Sequence, residues 1–162
     1  EVVKAGGFLH GHTYVANPLS CAIANAVLKE MIDEDLMKNA SESGIYLKNE
    51  LINLANQSLI IGDVRGKGLL LAIEIVKNKQ FKALLEEQVR AVYRILEIGI
   101  EEGILLYTRK TAAGAFGEWI MVTPALTITK AQVDELITLL AKTIFRFEKE
   151  LIDGGFLNTS EE

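Results

Sequence analysis

Only one cysteine, Cys21, is present, so no intramolecular disulfide can form. The small apolar setting of that residue, Cys21-Ala22-Ile23-Ala24, predicts a core position. A reducing, cytoplasmic compartment is the natural expectation. Basic residues are not in excess either: 17 Lys and Arg stand against 22 Asp and Glu, a net charge of -5 spread along the chain. That balance gives no electrostatic footprint for nucleic acid or for an anionic membrane surface. The longest apolar run, Gly68-Leu69-Leu70-Leu71-Ala72-Ile73, meets Glu74 at once and falls far short of the roughly 20 residues that span a bilayer. A soluble protein is expected. The opening Glu1-Val2-Val3-Lys4 has neither the apolar core nor the cleavage region of a signal peptide and reads as a start in mid-protein. The sequence carries no repeat, no low-complexity tract, no metal-ligand cluster, no nucleophile elbow and no phosphate-cradling glycine motif. What is plentiful is apolar residues, 49% of 162, enough for one shared core.

The first 17 residues have no helical period and read as a loop or short hairpin. Asn17 before Pro18 combines an N-cap residue with proline at the first helical position, so a helix should start there. Ile23, Ala24, Val27, Leu28, Met31 and Ile32 then follow the three-and-four spacing of one buried stripe, which Asp33-Glu34-Asp35 interrupts. A second helix is predicted from about Asp35 to the Asn56-Gln57 pair; Gly44 in its middle costs about 1 kcal/mol relative to Ala and so predicts close packing on another element. Two strand-like runs follow, Leu59-Ile60-Ile61 and one from Leu69 to Val76, separated by the turn-prone Gly62-Asp63-Val64-Arg65-Gly66-Lys67-Gly68. A long helix is predicted over about 80–101, with Leu84, Leu85, Val89, Val92, Leu96 and Ile100 in register and Gly103 as its stop.

Two further short strands, Ile104-Leu105-Leu106-Tyr107 and Trp119-Ile120-Met121-Val122, are expected to pair antiparallel across a polar loop from Arg109 to Glu118. Thr129 caps a last helix that turns Val133, Leu136, Ile137, Leu140, Ile144, Phe147 and Leu151 inward and ends at Gly154-Gly155, before a frayed tail. The fold class expected is α+β: long helices packed on one face of a small, largely antiparallel sheet.

Three ordered segments go further. Gly7-Phe8-Leu9-His10-Gly11-His12-Thr13-Tyr14-Val15-Ala16-Asn17-Pro18 resembles the HGHTY and GNP stretch of class III aminotransferases. Gly62-Asp63-Val64-Arg65-Gly66-Lys67-Gly68-Leu69 is similar to that family's DVRGxGL, and Thr123-Pro124-Ala125-Leu126-Thr127-Ile128-Thr129 to its PPLxIT. The resemblance implies a fold-type-I transaminase that depends on pyridoxal 5′-phosphate and acts as a homodimer. It would move an amino group from an amine or amino acid to a keto acid or aldehyde. Residues 1–35 would close the large cofactor-binding domain, 36–153 would form the C-terminal small domain, and 154–162 the tail. The family's cofactor-holding lysine lies upstream of the first motif. Lys4 does not stand in that context, so no catalytic lysine is assigned and the chain by itself is expected to be inactive.

What the resemblance gives this chain is Thr13, with His12 beside it, as cofactor-binding residues whose hydroxyl and amide donors reach the phosphate of the neighbouring subunit. A bare His10-x-His12 pair also has the spacing that puts two rings on one face, yet it lacks the further ligands of a metal site. Many family members hold the substrate's α-carboxylate with an arginine just before the Pro-Pro-Leu motif. This chain has Met121 there and Ala125 in place of the second proline. Arg109 is the substrate-binding candidate instead; Arg109 or Lys110 either replaces that anchor or is a solvated loop charge. A site without a fixed anchor would suit ω-amino acids or amines. Arg65 has a guanidinium fork that suits a carboxylate, but the resemblance implies a structural hairpin arginine instead. The pairs Glu86-Glu87 and Glu101-Glu102 read as helix-surface charges, and Trp119 and Phe116 either line a substrate pocket or pack a hairpin. The competing reading is a non-catalytic interaction or structural domain that keeps the fold without the chemistry.

Overall fold

A computed structural model describes residues 1, 3–4, 6–7, 11–110 and 117–157. The chain divides into two compact units, Glu1–Leu36 and Met37–Glu162.

In the first unit a turn-rich segment leads to α1 (Pro18–Asp33). Its start is the one the sequence predicts: the Asn17 side chain accepts from Ser20 N at 3.0 Å, and Pro18 opens the helix. The predicted burial is not found. α1 carries no buried residue, and Ile23, Val27, Leu28 and Ile32 are all more than half exposed. Cys21 is exposed as well, against the expected core position. Periodicity marks a face that needs a partner, and the described residues of this unit include no second helix or strand to supply one.

The second unit contains α2 (Leu36–Gln57, whose first residue closes the first unit), β1 (Ile61–Lys67), β2 (Leu70–Ile75), a 3₁₀ turn (Glu87–Val89), α3 (Ala91–Glu102), β3 (Tyr107–Lys110), β4 (Glu118–Val122) and α4 (Lys130–Asp153). Its sheet is antiparallel throughout, in the order β1-β2-β4-β3. Side chains alternate across the pleat. One face gives Leu71, Ile73, Ile75, Ile120 and Val122 to a core completed by Leu47, Leu51 and Leu54 of α2, Ile95 and Ile98 of α3 and Val133, Leu140, Ile144, Phe147 and Leu151 of α4. The expected α+β layer, with helices on one sheet face, is therefore the observed one.

Several boundaries differ from the sequence reading, each for a local reason. The segment from Gly62 to Lys67 is strand, not turn: it pairs with β2 from Ile61↔Ile75 to Lys67↔Leu70, with a bulge between Ile61 and Asp63. The reversal is confined to Gly68-Leu69, where Gly68 takes φ 55°. The predicted helix over 80–101 begins only at Ala91. Asn78 accepts from Phe81 N at 2.8 Å, and Lys82 and Arg90 sit in left-handed backbone (φ 54° and 52°), which stops helix propagation. Strand β3 starts at Tyr107 rather than Ile104, because Ile104 N closes a Schellman motif on Gly99 O (2.7 Å) around Gly103 at φ 93°. As a result Arg109 and Lys110 lie in a strand, not a loop. The other predicted ends hold: Thr129 and Gln132 form a capping box, and Gly155 (φ 73°) ends α4 with Phe156 N bonded to Leu151 O at 2.8 Å.

Polar ties lock the layers. Glu148 of α4, buried, accepts from Leu59 N at 2.8 Å, from Ile60 N at 3.4 Å and from the Ser58 hydroxyl, so one carboxylate satisfies the backbone where α2 turns into β1. Arg94 grips Glu150 through two bonds of 2.8 Å and joins α3 to α4. Arg146 pairs with Glu101 and Glu102, which accounts for those two carboxylates as helix-end charges.

The predicted close packing at Gly44 is real. A Cβ there would stand 2.3 Å from the backbone of Gly68, so α2 touches the β-hairpin turn backbone to backbone. Alanine at an open helix position gains about 1 kcal/mol over glycine; at Gly44 the overlap must push α2 off the hairpin, at a cost of about 1–3 kcal/mol. Gly44→Ala is therefore expected to lower the denaturant midpoint, and a midpoint equal to or above the parent's would show that this contact does not hold the layers together.

Candidate functional site

The register fixes which side chains share the sheet face opposite the core. Reading across β1, β2, β4 and β3, one row is Arg65–Ala72–Met121–Tyr107 and the next is Asp63–Glu74–Trp119–Arg109. These side chains are half-buried or exposed, whereas their neighbours one residue away on β2 and β4 are buried. A concavity of about 360 Å³ lies on this face, lined by Arg65, Leu70, Ala72, Trp119 and Met121 among others.

The two arginines on the face differ in what holds them. Arg65 Nη1 bonds Asp63 at 2.9 Å, and its Nη2 lies 3.8 Å from Glu74, which also takes Lys82 at 3.1 Å. Its charge is spent within the hairpin. Arg109 Nε donates to the Tyr107 hydroxyl at 2.8 Å, and its guanidinium carbon lies 5.4 Å from the Tyr107 ring centroid. No carboxylate pairs with Arg109 among the described residues. Its end-on donor pair is left to the solvent side of the sheet.

Lys110, one residue on, points to the other face, where it lies 3.6 Å from Glu118 and 3.9 Å from Glu87. The two candidates that the sequence leaves open are thus separated by the pleat: Arg109 stands on the face opposite the core, beside Trp119 but outside the lining of the concavity, and Lys110 among carboxylates on the other. Of the aromatic candidates, Trp119 lines the concavity with its ring centroid 6.3 Å from that of Tyr107, while Phe116 lies outside the described residues. Tyr107 was not singled out by the sequence. The signal was there, because Tyr107-Thr108-Arg109 puts the first and third residues of a strand on one face.

In the first unit, Thr13 stands in an exposed turn between Gly11 and Ala16, in which Val15 N bonds His12 O at 3.0 Å and Asn17 N bonds Tyr14 O at 3.2 Å. The Thr13 hydroxyl makes no hydrogen bond with any described residue, whereas His12 is not without a partner. A free hydroxyl in an exposed turn fits one contact to a phosphate. His10 lies outside the described residues, and no group of three or more potential metal ligands occurs among those that are described.

The other two motif segments have architectural work. Asn39 of α2 donates to Leu126 O at 2.6 Å and Ile128 O at 3.1 Å, pinning the stretch from Thr123 to Thr129 where it enters α4. In the first hairpin Gly66 is forced, since a Cβ there would lie 2.1 Å from Leu70 O.

The class-III aminotransferase family profile matches residues 1–144, and the chain belongs to that family. It is 34% identical over 154 residues to the uncharacterized aminotransferase YodT of Bacillus subtilis, covering 93% of this chain and 35% of YodT. It is 31% identical over 141 residues to the leucine/methionine racemase of Thermococcus litoralis, covering 86% of this chain and 30% of that protein. Among solved structures, a transaminase from the marine bacterium Virgibacillus superposes with TM-score 0.80 at 27% identity, over 90% of this chain and 32% of the other. The chain therefore spans about a third of the length of the relatives it matches. No described helix is long and apolar enough to cross a membrane.

Glu118 adds a measurable property to the core side of β4. Burial is the main influence on it and pushes its carboxyl above the ordinary 4.5, with Lys110 pulling the other way by charge and hydrogen bond. A folded-state value above the unfolded one means that the folded state holds the proton more tightly, so stability falls as pH rises from about 4.5 through the raised value. Glu86, Asp134 and Glu150 are shifted down, by hydrogen bonds to Lys77, Tyr46 and Arg94 respectively, and their stabilisation is lost only as pH falls below the ordinary range. Glu118→Gln should flatten the decline of Tm between pH 4.5 and neutrality. A thermal-unfolding series in which parent and variant keep the same slope would refute the assignment.

Proposed function

We propose that this chain is the C-terminal part of a pyridoxal 5′-phosphate-dependent aminotransferase, and the family match over residues 1–144 carries that reading. Residues 1–35 end the large domain and 36–153 form the small domain of a homodimeric, cytoplasmic enzyme. It takes an amine or amino acid as donor and a keto acid or aldehyde as acceptor. When bound, the cofactor supplies an electron sink for charge developing at the substrate's reacting carbon. This chain's share is binding and orientation. Thr13, with His12 beside it, offers its hydroxyl to the cofactor phosphate of the partner subunit; a hydroxyl against a dianion makes a charge-assisted bond, and the glycine-flanked turn lets the anion approach. Arg109 takes a substrate carboxylate. Its place beside Trp119 on the open sheet face, without a carboxylate partner among the described residues, supports that role, and the placement of Lys110 among Glu87 and Glu118 argues against its sharing it. A present anchor at Arg109 also weighs against a site built only for simple amines.

The lysine that holds the cofactor belongs to a segment outside this chain, so the chain alone is inactive. Cofactor added to it should give no stoichiometric lysine-linked absorbance; a full equivalent would end that claim. In the full-length dimer, Thr13→Val should weaken cofactor retention by about tenfold or more, the loss expected for a hydrogen bond to a charged group. Thr13→Ser should restore it. Both are read by cofactor released on dialysis, and unchanged retention in the valine variant would remove Thr13 from the site.

A second reading follows from the Thermococcus relative: interconversion of amino-acid enantiomers on the same cofactor. Chiral analysis of the amino acid, run beside keto-acid production by the full-length protein, separates the two. A full-length protein that does neither would favour a non-catalytic domain.

A further inference from the structure

On the sheet face opposite the core, Tyr107 holds the Arg109 guanidinium from its Nε side: its hydroxyl takes the Nε proton at 2.8 Å, and its ring centroid lies 5.4 Å from the guanidinium carbon. What remains is the Nη1–Nη2 end, two parallel donors that match the two oxygens of one carboxylate. An exposed arginine normally loses rotamer freedom when it is fixed on a ligand; here the bond to Tyr107 restricts it in the unliganded protein.

Beyond Arg109 its own row runs through Trp119 to Glu74, whose carboxylate is already paired with Lys82, while the neighbouring row is apolar between Tyr107 and Arg65. Trp119 stands opposite Arg109, and Met121 opposite Tyr107. Ala72 follows opposite Met121, with Leu70 beside it and 62% exposed. Two strand spacings separate β3 from β2, about 10 Å, which is the length of a medium aliphatic chain. At the far wall stands Arg65, whose guanidinium is already paired with Asp63 and Glu74. A ligand laid from Arg109 across this strip thus meets a charge-receptive end, an apolar floor and a neutralised far wall.

We infer that Tyr107 is a positioning residue for Arg109, and that the Trp119–Met121–Ala72 strip makes this subsite selective for monocarboxylates with an aliphatic chain over short acids and dicarboxylates. This rests on the reading of Arg109 as the carboxylate anchor. It adds which residue holds the anchor and what the rest of the acid must be.

The test uses the 162-residue chain with acetate, hexanoate and adipate as probes, followed by NMR of the arginine Nε–Hε and backbone amide signals. Without ligand, the Arg109 Nε–Hε signal, identified by its loss in Arg109→Gln, should exchange with water slowly. Tyr107→Phe should raise that rate about tenfold, as expected when a hydrogen bond worth about 1.4 kcal/mol is lost, while leaving the Arg94 signal and the backbone spectrum unchanged. An unchanged Arg109 rate would overturn the positioning role whatever the ligand results. Hexanoate should bind about tenfold or more tightly than acetate, because the four extra methylenes are covered only in part. Met121→Gln should cut that ratio to about threefold, and adipate should bind no tighter than hexanoate. Equal affinity for acetate and hexanoate, or a preference for adipate, would overturn the selectivity while the anchor stands. Hexanoate binding that survives Arg109→Gln, or no binding of any probe to the parent chain, would instead overturn the anchor and the selectivity built on it.

Discussion

The pairing of β2 with β4 joins two strands separated by more than 40 residues of chain, and the arrangement of everything else on the sheet follows from it. In the observed register Ile73 faces Ile120 and Glu74 faces Trp119. A slip of one residue would exchange the two faces of β4, exposing Ile120 and Val122 and driving Trp119 and Met121 into the helices. The core therefore enforces the register, since each fully buried isoleucine or valine contributes about 1.5–3 kcal/mol. The open face inherits its composition from that choice. Arg109 comes to lie beside Trp119 because β4 must turn Ile120 and Val122 to the core, and β3 pairs with β4 in the register that sets Arg109 opposite Trp119.

The three motif segments that mark the family divide by the kind of work they do. Two are architectural: the first hairpin needs Gly66 and Gly68 so that β1 can turn back and α2 can touch it at Gly44, and the Thr123-to-Thr129 stretch is held by Asn39 before it caps α4. The third, around Thr13, is different in kind, an exposed turn with an unused hydroxyl and no packing role among the described residues. A residue type tied to backbone geometry explains itself within the chain. One that is exposed and unpaired finds its reason outside it.

Much of the fold was legible in the sequence. Asn17-Pro18, Gly103, Thr129 and Gly154-Gly155 each end or begin a helix through bonds made within a few residues, so their chemistry is local. The same locality explains the failures. Leu84 and Val89 stand at helical spacing, but Lys82 and Arg90 are held left-handed, Lys82 while its ammonium reaches Glu74 and Gly62, and that could not be read from the segment itself. Gly62 to Lys67 has turn composition yet forms a strand, because its partner β2 supplies the ladder. The apolar stripe of α1 was recognised, but a stripe states a need for a partner and not the presence of one.

By itself the sequence determined the family, the helix ends, the α+β class and the list of residues with the right chemistry, because these depend on local bonding and on the order of short motifs. Only the tertiary structure put Arg109 and Lys110 on opposite faces of the sheet, revealed the bond from Arg109 to the Tyr107 hydroxyl, and showed that Arg65 is already paired with Asp63 and Glu74. Those answers depend on which side of the pleat a residue occupies and on what the neighbouring strands bring beside it. Pairing between distant strands sets both, and no window of adjacent residues contains that information.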